Sequence, residues 1–373
     1  MHITPFAVEI WMNEWETKCA FNLAETCVES LTIAELLTLA GRNEADLSAL
    51  LPLKMTYGDI TGSERLRSAV ATLYDRQTPQ DVIITHGTIG ANMLVHKALV
   101  ERDDHVVAIV PSYQQHYSIP ASIGAKVQTL TLRPEDHWLP DLEALRAMIT
   151  PRTKLIALTN PNNPTGALID RPMLEQIVEI ARAADAYILC DEVYRGIDQE
   201  GDGTTASIAD LYDKGISTAG MSKAFSLAGL RLGWVAAPPE VIEAVLVHRD
   251  YDTISVGRID DYFATMALEN HTRVLARSQQ ITRGNLAMLE AWVEAEPKLS
   301  WVKPRSGTTT LVKIDLPMSS RAFCVALLQE TGVMFTPGDA FDMEGYVRIG
   351  FANTPDILRE GLRLTSGFLA RFA

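Results

Sequence analysis

The sequence predicts an α/β fold: a large domain with a mostly parallel sheet flanked by helices, followed by a smaller α+β domain. Three observations support this prediction. Short apolar runs recur in the middle of the chain, a helical pattern separates two of them, and the order of elements changes after about residue 250. Short apolar runs bounded by polar or Gly- and Pro-containing stretches are typical of strands buried on both faces of a parallel sheet.

The apolar runs supply the strands of the predicted sheet. Between the second and third runs, residues 170–185 carry apolar side chains at spacings of three and four, which predicts a helix with one apolar face. Asp170 is its predicted N-cap, and Pro172 falls in its first turn. This strand–helix–strand order predicts parallel strands. The four runs are HVVAIV (105–110), KLIALT (154–159), AYILCD (186–191) and GISTAG (215–220).

The smaller domain is predicted from a different order of elements. A long helical stretch covers about 255–295, and the apolar strands TTTLVKIDL (308–316) and YVRIGFA (346–352) enclose a helix around 319–331. A terminal helix follows the second strand. Runs of strands and helices in this order are typical of an α+β unit.

The length of the chain, 373 residues, is enough for two domains. We predict a large domain over residues 48–251. Residues 1–47 and 252–373 together form the predicted small domain, with the N-terminal part covering the site as a lid.

Composition excludes several classes of function. The formal net charge is −14, so no broad positive field is available for nucleic acid or a membrane surface. Four scattered cysteines without CxxC spacing argue against a disulfide scaffold, and we predict no metal site. No signal peptide or membrane span is recognisable, and the predicted compartment is the cytoplasm.

Polar residues follow the predicted strands, at the edge where sheets of this kind bind ligands. NPNNPTG, which contains Asn163, follows the second strand. The third strand ends in DEVY, with Asp191 and Tyr194, and the fourth leads into SKAF, with Ser222 and Lys223. We therefore expect an amide, a carboxylate, a phenol and an amine to meet at one edge of the sheet.

A candidate phosphate site lies earlier in the chain. In THGTIG, the residues Gly87, Thr88 and Ile89 precede a helical stretch, and backbone N–H groups at a helix start bind phosphate well. Arg231 can add a fixed positive charge. A phosphate cradle, a carboxylate, paired donors and a reactive amine together suit pyridoxal 5′-phosphate, whose aldehyde, pyridinium nitrogen and phosphate need these groups.

With NPNNPTG, DEVY and SKAFSLAGLRLG in this order, the chain resembles the fold-type I pyridoxal-phosphate enzymes of the class I/II aminotransferase superfamily over nearly its whole length. The resemblance implies a large domain with a seven-stranded, mostly parallel sheet. It also implies that Lys223 forms the Schiff base with the cofactor and moves the substrate α-proton. Asp191 is implied to pair with the pyridinium nitrogen, and Tyr194 and Asn163 to donate to the phenolic oxygen.

The same resemblance implies the remaining contacts of the site. Tyr113 stacks on the cofactor ring, and Arg348 clamps the substrate α-carboxylate, with Asn163 beside it. Tyr57 reaches the phosphate of a partner subunit, which implies a homodimer with shared active sites acting on an amino acid and a 2-keto acid. The implied phosphate contacts are Gly87, Thr88, Ile89, Ser222 and Arg231.

One position departs from the family pattern. The residue three before Lys223 is often Ser or Thr in these enzymes and contacts the phosphate, whereas this chain has Gly220. One side-chain donor is therefore missing from the expected set.

The N-terminal segment, residues 9–36, suggests the substrate. It carries several glutamates, one lysine and no arginine, which favours a cationic substrate side chain, although solvated carboxylates on a surface helix explain the pattern equally well. It also resembles the guanidino-amino-acid enzymes of the superfamily, the capreomycidine synthases and arginine oxidases. That resemblance implies that Glu16 and Glu25 meet a guanidinium group. The oxidases have a histidine at Cys27 and several have an aspartate at Gly220, which argues against oxidase chemistry.

The predicted activity is transamination of arginine or a related basic amino acid. One alternative is a pyridoxal-phosphate enzyme that does not transaminate, such as an O₂-dependent arginine oxidase, a cyclase or a β-lyase. A catalytically silent binding or regulatory protein is the other alternative, and the intact Lys223 argues against it.

Overall fold

The structure is a computed structural model, and it describes residues 2–372. Two sheets dominate it, one large and mostly parallel, the other small and antiparallel. The strands are β1 (Phe21–Asn22), β2 (Val82–Thr85), β3 (His105–Val110), β4 (Lys126–Thr131), β5 (Thr153–Thr159), β6 (Tyr187–Asp191), β7 (Gly215–Gly220), β8 (Gly233–Ala236), β9 (Leu299–Trp301), β10 (Thr309–Ile314), β11 (Val333–Met334), β12 (Thr336–Pro337) and β13 (Tyr346–Gly350).

Helices cover both faces of the large sheet and one side of the small sheet. The α-helices are α1 (Ala7–Trp15), α2 (Ile33–Leu39), α3 (Glu64–Ala71), α4 (Gly87–Leu99), α5 (Gln115–Ile123), α6 (Leu142–Met148), α7 (Arg171–Arg182), α8 (Ile208–Leu211), α9 (Pro239–Arg249), α10 (Arg258–Glu269), α11 (His271–Ala295), α12 (Ser320–Thr331) and α13 (Pro355–Leu369).

The large sheet has seven strands in the order β2-β8-β7-β6-β5-β3-β4. All neighbours pair in parallel except β8, which is antiparallel to both β2 and β7. This confirms the predicted mostly parallel α/β sheet. Asp191 at the end of β6 lies in register with Thr159 on β5 and Thr218 on β7, so the carboxyl ends of the three strands meet at one edge.

The apolar pattern explains why the predicted elements form. Every residue of β7 is buried, and nearly every residue of β5 and β6, as expected for strands covered on both faces. Helix α7 begins after Asp170, whose side chain accepts a hydrogen bond from the backbone N–H of Met173. Leu174, Ile177 and Val178 on its apolar face are buried in the core beneath the sheet.

The small sheet has the order β12-β13-β10-β9 and is antiparallel throughout. Helices α11, α12 and α13 pack on it through a core that includes Phe323, Val347 and Phe368. The helical stretch predicted at about 255–295 is present and consists of two helices, α10 and α11. Asn270 separates them: its backbone leaves the helical region and its side chain caps the Met266 carbonyl.

The N-terminal segment crosses between the two sheets. Strand β1 pairs in parallel with β11, the Trp11 indole N–H donates to the Phe335 carbonyl at 2.9 Å, and Gly350 N–H donates to the Leu23 carbonyl. Leu36 in α2 instead joins a core beside the large sheet. The division into domains at residues 48 and 251 stays a prediction. Between residues 2 and 372, no helix combines the length and apolar character needed to cross a membrane.

Candidate active site

A cavity of about 330 Å³ lies at the carboxyl edge of the large sheet, closed on one side by the N-terminal segment and on another by β13. This volume falls in the range typical of small-molecule sites. Most of the residues predicted for the site line it: Glu16, Glu25, Thr88, Ile89, Tyr113, Asn163, Asp191, Tyr194, Ser222, Lys223, Arg231 and Arg348.

Two of the predicted residues lie outside the lining. Gly87 sits just behind the wall, where a Cβ would come 3.0 Å from a guanidinium nitrogen of Arg231. Tyr57 is 77% exposed and lines a separate surface depression with Val256. The contact of Tyr57 with a partner subunit therefore stays a prediction.

Asp191 is buried at the end of β6 and faces the cavity. One carboxylate oxygen accepts from the backbone N–H of Val193 at 3.1 Å, and the other from the Asn92 side-chain amide at 2.8 Å. Burial raises the pKa of Asp191 to about 6, and these two donors limit the rise. A buried carboxylate with a pKa of about 6 suits pairing with a cationic ring nitrogen.

Lys223 follows β7 and extends into the same cavity, with its side chain 24% exposed. Its amine donates to the Thr26 hydroxyl at 2.6 Å and to the Cys27 sulfur at 3.3 Å, and it lies 3.9 Å from a Glu25 carboxylate oxygen. Burial disfavours the ammonium form, but Cys27, Tyr194 and Glu25 outweigh it and raise the pKa of Lys223. Three residues of the N-terminal segment thus lie within 4 Å of the amine.

The start of α4 forms the candidate phosphate cradle. Gly87 has φ of +67°, a conformation that favours glycine, and it brings the first turn of the helix against Arg231. The Thr88 hydroxyl is buried and has no hydrogen-bond partner among residues 2–372. A buried hydroxyl without a partner costs free energy, so a ligand oxygen at this position would stabilise it.

Gly220 is explained by the same cradle. A Cβ at this position would lie 2.6 Å from the Thr88 hydroxyl oxygen and 2.9 Å from the Leu232 carbonyl oxygen. A serine or threonine would therefore clash with Thr88, which occupies the space that a side chain at position 220 would need. Thr88 offers a hydroxyl where the usual residue is missing.

Arg348 is buried on β13, 2% exposed, and faces the cavity. Its guanidinium donates to the Asn163 side chain at 3.2 Å, to the Ala24 carbonyl at 2.9 Å and to the Thr336 hydroxyl at 3.1 Å. Its Nε has no hydrogen-bond partner within the part of the chain that the structure describes. Burial lowers the pKa of Arg348. A buried cation without a carboxylate among its hydrogen-bond partners is costly, and a bound carboxylate would relieve that cost.

Three carboxylates of the N-terminal segment line the cavity: Glu9, Glu16 and Glu25. Glu25 accepts from the backbone N–H groups of Thr26 and Cys27; burial opposes its ionisation, but Lys223 and these donors lower its pKa. Burial and the charges of Glu25 and Glu9 raise the pKa of Glu16. The cavity therefore has an acidic wall, defined here as these three glutamates.

Several contacts of the site could not be found from sequence. Glu9 accepts a hydrogen bond from the Tyr113 hydroxyl at 2.7 Å, which ties α1 to the predicted stacking residue. Asn92 and Thr26 contact Asp191 and Lys223, respectively, and each is about a hundred or more positions away from its partner. Neither carries a local motif, so only the tertiary fold shows its role.

The residues present fit pyridoxal 5′-phosphate. The unpartnered Thr88 hydroxyl and the Arg231 guanidinium suit its phosphate, the Asp191 carboxylate suits its ring nitrogen, and the Lys223 amine suits its aldehyde. These groups stand on a seven-stranded sheet of the α/β class. Fold and site together define a fold-type I pyridoxal-phosphate enzyme.

Comparisons with known proteins identify the family within this class. The family model for aminotransferase class I and II matches residues 43–362. A solved pyridoxal-phosphate-dependent aminotransferase from Streptococcus suis is 43% identical, with a TM-score of 0.97 over 100% of this chain and 99% of that one. The chain therefore belongs to the class I and II aminotransferase family, whose members use pyridoxal phosphate.

Two curated relatives are named for different reactions. Capreomycidine synthase of Streptomyces vinaceus is 29% identical over 98% of this chain and 94% of its own length. An arginine–pyruvate transaminase of Pseudomonas aeruginosa is 28% identical over 86% of this chain and 84% of its own. Aspartate and aromatic aminotransferases are similar at comparable levels.

Proposed function

We propose that this protein is a pyridoxal-phosphate-dependent aminotransferase that moves an α-amino group between arginine, or another basic amino acid, and a 2-keto acid. One observation carries the proposal: a single cavity holds the Lys223 amine, the Arg348 guanidinium and the acidic wall. An α-amino acid with a cationic side chain presents a carboxylate to Arg348 and a cation to the glutamates, with its Cα between them.

The cofactor, when bound, supplies an electron sink for the carbanion that forms when the α-proton leaves. Lys223 would carry that proton as base and then as acid, and Asp191 would hold the proton of the ring nitrogen. Tyr113 would stack on the ring, while Asn163 and Tyr194 would donate to its phenolic oxygen. The residues that would hold the phosphate are Gly87, Thr88, Ile89, Ser222 and Arg231. Arg348 orients the substrate through its α-carboxylate, a bidentate role that suits a guanidinium group.

The acidic wall is the support for a basic substrate. Glu25 is fixed by two backbone donors, and Glu16 lies close enough to Glu25 and Glu9 for their charges to hinder its ionisation. Three carboxylates with no arginine in their own segment repel an acidic side chain and attract a guanidinium. The arginine–pyruvate transaminase among the relatives supports the same substrate class.

We also propose a homodimer with shared active sites. Exposed apolar side chains cluster on two neighbouring stretches, 51–60 and 251–254, in which Tyr57 is 77% and Tyr251 92% exposed. Apolar groups concentrated in this way are typical of an interface, and Tyr57 would reach the partner's phosphate site. Sedimentation should give a dimer, and Tyr57→Phe should weaken cofactor binding; a fully active monomer would refute this assignment.

We further propose a cytoplasmic location. The four cysteines are all free, which suits a reducing compartment. Fractionation of the native host should place the protein in the cytosolic fraction, and recovery from an oxidising compartment would contradict the proposal.

A second candidate is a reaction on a guanidino amino acid other than transamination. The similarity to capreomycidine synthase over 98% of this chain supports it, as does a solved pyridoxal-phosphate-dependent cyclase with a TM-score of 0.91. Cys27, 3.3 Å from the Lys223 amine, stands where the oxidases have a histidine, and this favours transamination over oxidation.

The test is to follow the absorbance of the bound cofactor while amino acids are added, arginine first. Transamination converts the cofactor without O₂, yields the keto acid of arginine, and needs a 2-keto acid for turnover. An oxidase consumes O₂ and releases ammonia, a cyclase yields a ring product, and a lyase releases pyruvate. If glutamate or an aromatic amino acid converts the cofactor while arginine does not, the basic-substrate proposal is wrong.

A further inference from the structure

The Asp191 carboxylate is held by few groups for a buried charge. Its only donors among the described side chains and backbone are Val193 N–H on one oxygen and the Asn92 amide on the other. The His116 ring comes within 4.0 Å of the second oxygen, but burial lowers its pKa to about 4, so it is neutral. Asn92 is therefore the one side chain that donates to Asp191 within hydrogen-bond distance.

The orientation of Asn92 is itself fixed. Its side chain is 1% exposed on α4, and its carbonyl oxygen accepts from the Thr218 hydroxyl at 2.6 Å. An ionised carboxylate only accepts hydrogen bonds, so the amide NH₂ must face Asp191 and the carbonyl must face Thr218. Thr218 lies in register with Asp191 on the neighbouring strand, which places all three side chains in one row.

The next carboxylate along the chain, that of Glu192, has a different set of hydrogen-bond donors. Glu192 points to the opposite face of the sheet, where it accepts from the hydroxyls of Ser207 and Ser217 and from Ile208 N–H. Its hydrogen bonds involve only protein groups remote from the cavity. Asp191 uses two of its roughly four acceptor sites in the protein, and the remaining sites can accept hydrogen bonds from a ligand in the cavity.

We propose that Asn92 is a positioning residue that fixes the Asp191 carboxylate toward the ring nitrogen of the cofactor, and that Thr218 acts through Asn92. The proposal rests on the role proposed above for Asp191. Without the amide, the carboxylate loses its only side-chain donor, can rotate away from the cavity, and is protonated more easily. The ring nitrogen then loses a charged partner, which weakens both cofactor binding and its action as an electron sink.

The experiment compares Asn92→Leu, which keeps the branching and number of side-chain heavy atoms and removes the donor, with the wild-type protein. Titration of the apoprotein with pyridoxal 5′-phosphate should give a Kd raised roughly 10- to 100-fold, as expected for the loss of a hydrogen bond to a charged group. The absorption spectrum of the bound cofactor should shift, and its dependence on pH should change. For arginine, kcat should fall more than KM changes.

Thr218→Val is the second variant, in case Asn92→Leu does not fold. It should move Kd and the spectrum in the same direction by a smaller factor, because the amide can still donate. The double variant should be no worse than Asn92→Leu alone. Thr310→Val is the matched control, since Thr310 is also buried on a strand but its hydroxyl has no hydrogen-bond partner among the described residues.

The outcomes separate this inference from the proposed function. Folded Asn92→Leu and Thr218→Val proteins with wild-type Kd and spectrum would overturn the role of Asn92 while leaving the enzyme assignment intact. A wild-type protein that binds no pyridoxal 5′-phosphate would overturn the proposed function, and with it this inference.

Discussion

Glu25→Gln tests the acidic wall most directly, because Glu25 is the best fixed of its three carboxylates. The substitution keeps the shape of the side chain and removes its charge. An ion pair about 4 Å apart is worth about 1 kcal/mol in water and about 4 kcal/mol at an effective dielectric of about 20. The Glu25 side chain is 32% exposed, so its pairing with a substrate cation lies between these limits. We expect a loss of roughly 1.5–3 kcal/mol, about 10- to 100-fold in kcat/KM for arginine.

Glu25 also lies 3.9 Å from the Lys223 amine, so the substitution affects every substrate to some degree. The informative quantity is therefore the ratio of kcat/KM for arginine to that for methionine, a neutral amino acid with an unbranched side chain. This ratio cancels effects on Lys223. The matched control is Glu29→Gln, a glutamate of the same segment outside the cavity lining. If Glu25→Gln lowers kcat/KM for both amino acids equally, so that the ratio does not change, the assignment of Glu25 to the substrate side chain is wrong.

Three further predictions concern other parts of the site. Lys223→Ala should abolish turnover and the visible absorbance of the lysine-linked cofactor, and retained turnover would overturn the central assignment. Gly220→Ala should cost about 1–3 kcal/mol of stability and weaken cofactor binding, because its Cβ would press on Thr88; Gly229→Ala, with open space around it, is the control for the melting temperature. The raised pKa of Glu16 means that its charge is present above that pKa and lost as the pH falls through it, starting above the ordinary value of 4.5. The acid limb of the kcat/KM profile for arginine should therefore flatten in Glu16→Gln.

The local sequence pattern was sufficient for four of the seven strands of the large sheet, and β2, β4 and β8 were not predicted from it. Strands at 105–110 and 215–220 have the bounds of the corresponding apolar runs, and Asp170 caps the helix it was expected to cap. These elements are encoded by local hydrophobic pattern and capping chemistry. The edge strand at Lys126–Thr131 was missed because most of its residues are exposed and polar, which gives no apolar run.

The site was predictable where a residue belongs to a motif. Lys223, Asp191 and Asn163 stand in quoted motifs, and the structure brings them to one cavity. Asn92 and Glu9 were not assigned roles, because their contacts join residues 99 and 104 positions apart and leave no periodic signal. Long-range side-chain pairing is a property of the packed molecule, and one sequence alone does not reveal it.

The N-terminal segment has a consequence for how the protein is made. Its residues are synthesised long before the strands that they contact: Phe21 pairs with Val333, and the Trp11 indole donates to the Phe335 carbonyl, 324 positions later. Thr26 and Glu25 belong to the same segment and lie beside Lys223, so we expect them to reach these positions only after those strands have formed. The acidic wall should therefore assemble later than the strands of the large sheet, all of which precede residue 237.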